Sequence, residues 1–335
     1  MLTQTLSVVI PVYRAGEALQ ETVREFLRAA AAFAVAPQVD LHLDEVILVV
    51  DNPGLSALER AAGSSLDALD SRVRTVWLAR NFGQHPATVA GSGSTHGDWV
   101  VTMDEDGQHD PREIPEMLLI GARANAPLVY ARPTNAPPHG ALRNTASRAT
   151  KRLFRVLSNS KGDFHSFRLI EGPIARSACA YIGDNVYLDV AMQWSCGDAA
   201  FAPMLMRAES TTSSYSPRKL LSHFWRMVLS TGTRPLRLIA VGGVLITLLG
   251  LLVAVVVAQR RLTGEFPAPG WTSVMITQLI LAGGVFITLA TLAEYIGFAV
   301  RNTIGKPLYV KTEHADARVL WTLQTALQGE PAPVR

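Results

Sequence analysis

Cysteine is almost absent from this chain. Cys179 and Cys196 are the two in 335 residues, far apart and without metal-like spacing. That excludes a disulfide-stapled scaffold and a thiolate metal centre, and both are expected to be reduced packing residues. Excess charge is lacking too. A net charge of +3 is too small to indicate a nucleic-acid partner. Residues 1–10 show no basic stretch followed by a long apolar core, so no secretory leader is expected. Charge is missing altogether from two runs, 238–258 and 272–293.

Those runs hold 21 and 22 residues, and as helices each reaches roughly 30 Å, the thickness of a bilayer's hydrocarbon. Two transmembrane helices are predicted, because a core helix of that length ordinarily carries a polar face. Arg218, Lys219, Arg226, Arg234 and Arg237 precede the first span, and Arg301, Lys306 and Lys311 follow the second. The loop between them has Arg260 and Arg261 as its basic residues, with Trp271 as an interfacial anchor. The positive excess places both termini in the cytoplasm and the loop outside. Anionic lipid is the natural partner of the flanking basic residues. Residues 216–230 carry Leu220, Leu221, Phe224, Trp225, Val228 and Leu229 on one stripe, suited to lying at the membrane surface. The expected layout is a cytoplasmic domain over 1–212, a juxtamembrane amphipathic segment over 213–237, the two spans within 238–300, and a cytoplasmic tail over 301–335.

The first 212 residues alternate strand and helix patterns. Strands are predicted at 7–12, 45–50, 73–78, 99–103 and 128–131. Helices are predicted at 17–33, 55–69, 86–94 and 141–157. The run 45–50 is continuously apolar after Glu45, as in a strand covered on both faces. Short links between alternating elements predict a parallel α/β sheet whose ligands sit at the carboxyl ends of the strands. Pro11, Tyr13, Asp51, Arg80 and the 104–106 segment all fall at that edge.

The chemistry concentrates at 99–111, Trp-Val-Val-Thr-Met-Asp-Glu-Asp-Gly-Gln-His-Asp-Pro. If the strand continues, Asp104 and Asp106 share a face and Glu105 points away. Paired carboxylates at a strand end make a hard-oxygen site, favouring Mg²⁺ or Mn²⁺ completed by substrate phosphate oxygens. Gly107 turns the chain and brings Gln108 and His109 alongside. The plain alternative is an acidic surface turn.

Asp104, Asp106, Gln108 and Pro111 match the Asp-x-Asp-x-Gln-x-x-Pro motif of family-2 inverting glycosyltransferases, which the segment resembles. Further matches follow in order. Residues 7–13 resemble the family's opening strand, and Arg80-Asn81-Phe82-Gly83 its Arg-Asn-x-Gly turn. Arg234-Pro235-Leu236-Arg237, Glu294-Tyr295-Ile296-Gly297 and residues 305–309 resemble segments around the membrane helices of the polyprenyl-phosphate group. That group includes dolichyl-phosphate mannose synthase and undecaprenyl-phosphate sugar transferases. The resemblance implies an α/β fold of the GT-A (Rossmann-like) type that binds a nucleotide-sugar, followed by juxtamembrane amphipathic helices and two transmembrane helices.

It also implies roles. Asp104, Asp106 and Gln108 would be catalytic, with Asp104 and Asp106 holding the metal. Pro11, Tyr13, Asp51 and Arg80 would bind the nucleotide, with Arg80 either approaching the diphosphate or pairing with Asp104. Asp51 departs from the family's Asp-Asp-Gly-Ser turn, and capping of the following helix is its alternative role. Arg132, Arg143 and Ser147 would hold the acceptor phosphate, through charge and the guanidinium's two-pronged geometry. His85 and His96 are expected at the surface. Tyr187-Leu188-Asp189 resembles a variant branch in which an Asp precedes a helix under the site. Many members read Gly-Asp-Phe-Arg where this chain has His165-Ser166-Phe167-Arg168. A phosphate acceptor is already largely ionised near neutral pH and needs little help from a base. Asp163 and Asp189, the nearest substitutes for a base, are therefore expected to be structural or orienting.

The implied reaction is inverting transfer of one sugar from a UDP- or GDP-linked donor to a polyprenyl phosphate at the cytoplasmic face of a bacterial cytoplasmic membrane. The partners are then the donor, the acceptor and the bilayer, with a homo-oligomer left open and no nucleic acid. The rival from another class is a catalytically inactive membrane module that binds nucleotide-sugar or organises a flippase. A processive polysaccharide synthase is disfavoured, since such enzymes usually carry more spans and a Gln-x-x-Arg-Trp segment.

Overall fold

The structure is a computed structural model. It describes residues 2–13, 17–52, 70–135, 164–183, 186, 188–197, 199–207 and 270–312, with parts of 239–263. The expected helices at 55–69 and 141–157, Arg143, Ser147, Asp163, Tyr187, the juxtamembrane segment and much of the first span lie outside the described residues. The chain divides into two compact units. One comprises 1–151, 161–215 and 307–335, and the other 152–160 and 216–306.

The first unit is built on strand β1, Leu2–Val12, whose residues from Leu6 to Ile10 are fully buried. It pairs in parallel with β3, Val39–Val50, on one side and β5, Trp99–Thr102, on the other. Strand β3 also pairs in parallel with β4, Val73–Leu78, and antiparallel with the short β2, Ala34–Ala36. Helix α1, Glu17–Ala30, buries Leu19, Val23, Phe26 and Ala30, the i, i+4, i+7, i+11 stripe of an amphipathic helix. Helix α2, Gln84–Ser92, lies against β1 and β3 so closely that a β-carbon on Gly91 would overlap Val9 and Val49. Helix α3, Ile114–Ala124, follows a 3₁₀ turn, Pro111–Glu113, which Asp110 caps by accepting from the Arg112 N–H.

The sheet is mixed where an all-parallel one was expected. Strand β7, Arg168–Glu171, inserts antiparallel between β5 and β6, Leu128–Pro133. Strand β8, Ala200–Met204, then runs parallel to β6 at the sheet's end. The order is β8-β6-β7-β5-β1-β3-β4, with the last strand, β9, Lys311–Thr312, beyond β4. Among the described residues, helix α1 lies in the chain between β1 and β3 and helix α2 between β4 and β5, as alternation in the sequence indicates. The direction of β7 depends on a pairing 66 residues distant, Thr102 with Arg168, which no local pattern encodes. Helices α4, Gly172–Tyr181, and α5, Leu188–Cys196, complete this half. Strand β9 pairs antiparallel with β4, so residues after the expected spans add a strand to this sheet.

In the second unit, helix α6, Trp271–Ile304, is 34 residues long. Among the described residues no helix is both long and apolar enough to cross a membrane. Side chains at several positions of α6 fall outside that description, and its run 272–293 is charge-free in sequence. Phe286, Ile287 and Leu289 on it are exposed, 70%, 64% and 52%, unlike the buried stripe of α1.

Cys179 and Cys196 are free, and burial pushes their thiols up to about 12 and about 11, as befits packing residues.

Candidate active site

Strands β1, β3, β4, β5, β6 and β8 all run the same way, so their carboxyl ends lie along one edge of the sheet. That edge carries Tyr13, Asp51, Arg80, the 104–110 loop, Arg132 and Arg207. The strand period does not set the directions of Asp104 and Asp106, however. Strand β5 stops at Thr102, and residues 105–107 form a turn in which Gly107 takes φ +75°. Glu105 turns to the first strand, where both its carboxylate oxygens accept from the Tyr13 N–H at 3.2 Å.

Asp104 is the hub. Its Oδ1 accepts from Gln84 Nε2 at 2.5 Å and its Oδ2 from the Ser166 hydroxyl at 2.6 Å. Burial raises its carboxyl above the ordinary value, opposed first by the Ser166 hydrogen bond. The side chain nonetheless keeps 27% of its surface open. His109 supports the same residue from below. Its Nδ1 accepts from the Asp104 backbone N–H at 3.1 Å, and its ring stacks on Phe167 with centroids 4.8 Å apart. His109 is 1% exposed, and burial holds its pKa down to about 4. It is neutral, with its proton on Nε2. Asp106 is half-buried, and its Oδ1 accepts from the Gln108 N–H at 3.1 Å.

Hydrogen bonds and adjacent residues together form a ring that returns to this hub. Gln84 is followed by His85, whose Nε2 donates to the Val186 carbonyl at 3.0 Å while its Nδ1 accepts from the Leu188 N–H at 3.2 Å. Next along α5, Asp189 pairs with the buried Arg168 and accepts from the Tyr130 hydroxyl at 2.9 Å. Arg168 Nε donates to Thr102 Oγ1 at 2.9 Å, and Thr102 Oγ1 donates to the Ser166 carbonyl at 2.6 Å. Ser166 closes the ring on Asp104. Such a satisfied network fixes the floor of the site.

The donor set suits a divalent cation. It is all oxygen, and both carboxylates keep lone pairs beyond those in use. Among the described residues no group of three or more His, Cys, Asp or Glu side chains gathers. Asp104 and Asp106 are each partly open at this edge rather than enclosed. A groove of about 800 Å³ lies elsewhere, lined by α1 and α3 residues such as Phe33 and Leu119. Its acidic residues, Glu21, Glu25 and Glu116, come from helices α1 and α3 rather than from the strand ends.

The family model described as "Glycosyl transferase family 2" matches residues 7–174, half of the chain. The chain belongs to glycosyl transferase family 2. Among curated proteins it is similar to the undecaprenyl-phosphate 4-deoxy-4-formamido-L-arabinose transferase of Erwinia tasmaniensis, 29% identical over 91% of this chain and 92% of that one. The enzyme of the same name from Klebsiella pneumoniae subsp. pneumoniae is 28% identical, covering 91% of each. A crystal structure of mannosyl-3-phosphoglycerate synthase from Rubrobacter xylanophilus superposes with a TM-score of 0.48 at 14% identity, over 70% of this chain and 74% of that one.

Several residues of this family 2 glycosyltransferase differ from their expected surroundings. Asp51 is 3% exposed, and its two oxygens accept from the Phe82 and Gly83 N–H groups at 2.7 and 2.6 Å. Burial keeps its carboxyl above the ordinary value despite those donors. In this state it organises the 80–83 turn. Arg80 does not pair with Asp104, because Gln84 takes that place. Its guanidinium lies over the Phe82 ring, 4.1 Å from the centroid. Tyr13 is 51% exposed and Pro11 half-buried at the end of β1. Arg132 is exposed and held over the Phe201 ring at 4.6 Å. His96 is exposed as expected, whereas His85 is a bridge between α2 and the segment before α5. Asp189 is engaged by Arg168 and the Tyr130 hydroxyl.

The sequence does not mark Gln84, His85 or Arg207 as a site support. Gln84 had a signal, since it directly follows the Arg-Asn-Phe-Gly turn. His85 and Arg207 act across 101 and 182 residues of chain and nothing local marks them, whereas Ser166 stands where many family members have an aspartate.

Proposed function

We propose that the protein transfers one sugar, with inversion, from a nucleotide-sugar to a polyprenyl monophosphate at the cytoplasmic face of a bacterial membrane. The observation that carries this reading is the shared edge, where the Asp104–Asp106 loop and the ring-supported Arg132 end neighbouring parts of one sheet. One end presents oxygen for a cation and the other a guanidinium for a phosphate. The curated relatives are named for transfer to undecaprenyl phosphate, which supports a polyprenyl acceptor here.

Asp104 and Asp106 would hold Mg²⁺ or Mn²⁺, which when bound offsets the charge of a departing diphosphate. Gln108 orients Asp106 through its N–H. Pro11, Tyr13 and Arg80 flank the nucleotide, and Asp51 shapes the turn that carries Arg80. Arg132, with Arg143 and Ser147, holds the acceptor phosphate. Its attacking oxygen is already deprotonated above about pH 6, so the site supplies charge and alignment more than proton abstraction. Ser166 fits that economy of bases, because its hydroxyl donates to Asp104 and cannot act as a carboxylate base. The charge-free runs 238–258 and 272–293 would anchor the chain with both termini inside. The arrangement follows 1–212, 213–237, 238–300 and 301–335, with the tail returning to the sheet.

Membranes containing the protein, given undecaprenyl phosphate and a panel of labelled UDP- and GDP-sugars, test this directly. Label should enter the organic phase with one donor and only when acceptor is present. Label confined to the aqueous phase with every donor overturns the reading.

A further inference from the structure

Arg207 stands three residues beyond β8, at the same sheet edge as the carboxylates. Its guanidinium forks onto Glu25 of α1, at 2.7 Å to each carboxylate oxygen, and one nitrogen also reaches Asp110 Oδ2 at 2.9 Å. Its backbone N–H donates to the Gln108 carbonyl at 3.2 Å. Gln108 in turn gives its own N–H to Asp106. The last three residues of the carboxylate loop are thus held at both ends by one residue from the far side of the chain. Asp110 is occupied on its other oxygen by the Arg112 N–H, which fixes the turn leaving the loop.

We infer that Arg207 is a positioning residue for the Asp104–Asp106 loop. It sets the loop in the geometry that receives a divalent cation and the donor diphosphate, and it leaves acceptor binding alone. The fork matters as much as the charge, because a planar guanidinium meets two carboxylates and a single ammonium point charge does not. Exposed ion pairs contribute little to stability, and Arg207 and Glu25 keep 35% and 25% of their side-chain surface open. What the pairing secures is therefore the direction of the Gln108 peptide. This inference rests on the proposed function.

The test uses the full-length protein in detergent. Mn²⁺ binding is read by loss of the free-ion paramagnetic resonance signal, with and without a UDP- or GDP-sugar, beside KM values for donor and acceptor. Arg207→Met and Glu25→Gln should each weaken Mn²⁺ binding roughly tenfold or more, as loss of outer supports does at metal sites. Donor KM should rise in step and acceptor KM stay within about twofold. Arg207→Lys should fall between wild type and Arg207→Met. Where Arg207→Met does not fold, Glu25→Gln, nearly isosteric, carries the same comparison. Unchanged Mn²⁺ binding in a folded variant overturns the inference, as does an acceptor KM that rises as much as the donor's. Wild-type protein that binds neither Mn²⁺ nor nucleotide-sugar would defeat the functional reading itself and this inference with it.

Discussion

His109 offers a sharp test of how the carboxylate loop is built. It is a fully buried imidazole whose Nδ1 accepts the Asp104 N–H, and burial lowers its pKa from 6.5 to about 4. Protonation would set a second N–H against that donor. The folded protein therefore binds fewer protons here than the unfolded chain between those two values. Stability from this group is complete above 6.5 and is lost as pH falls toward 4. The difference of 2.5 units corresponds to roughly 3 kcal/mol. His109→Phe keeps a ring against Phe167 but removes both the titration and the acceptor. At neutral pH it should cost roughly 1–3 kcal/mol for the unsatisfied Asp104 N–H. As pH falls, wild type alone loses the histidine's contribution, so the gap between the two proteins should close or reverse. Denaturant unfolding followed by tryptophan fluorescence, from about pH 7.5 to about pH 4, measures that gap. A gap that does not change with pH would refute the neutral, accepting imidazole.

Three further outcomes are expected. Asp106→Asn keeps the shape of the loop but removes a ligand charge, and should abolish transfer and metal-dependent donor binding while the protein stays folded; near wild-type turnover with excess Mg²⁺ would contradict the site. Asp189→Asn leaves the buried Arg168 without its counter-charge, which should cost roughly 3–5 kcal/mol in unfolding experiments. Its kcat should fall only modestly, and a thousandfold loss in folded protein with both substrates bound would make Asp189 a true base. Arg143→Ala should raise the KM for polyprenyl phosphate roughly ten- to a hundredfold, the effect of losing a charge-assisted contact worth about 1.5–3 kcal/mol. Equal rises for donor and acceptor would point to a collapsed site instead.

Local chemistry explains which features the sequence displays. The run 45–50 announces a doubly covered strand because all five positions after Glu45 are apolar, and it forms the end of β3. The strand at 73–78 has the expected bounds, and Trp99 begins β5 as predicted. The carboxylate pair is visible because two acids so close together after an apolar strand need a reason. The supports of that pair are another matter. Ser166 meets Asp104 only because β7 enters the sheet antiparallel beside β5, and Arg207 meets Glu25 only because β8 closes the sheet's far end. Neither pairing leaves a trace in periodicity. Asp51 shows a third limit. A lone Asp at a strand end reads equally as ligand, cap or loop anchor, and the surrounding N–H groups decide.

The central claim is transfer of a single sugar to a lipid phosphate, and the mass and anomeric configuration of the lipid product test it most directly. Purified protein should be given the donor that labels membranes, a short-chain polyprenyl phosphate and Mn²⁺, and the extract read by mass spectrometry and NMR. The account predicts a polyprenyl phosphate one sugar heavier, with the anomeric centre inverted relative to the donor. Free sugar without lipid product, a retained anomer, or a ladder of added sugars would contradict it.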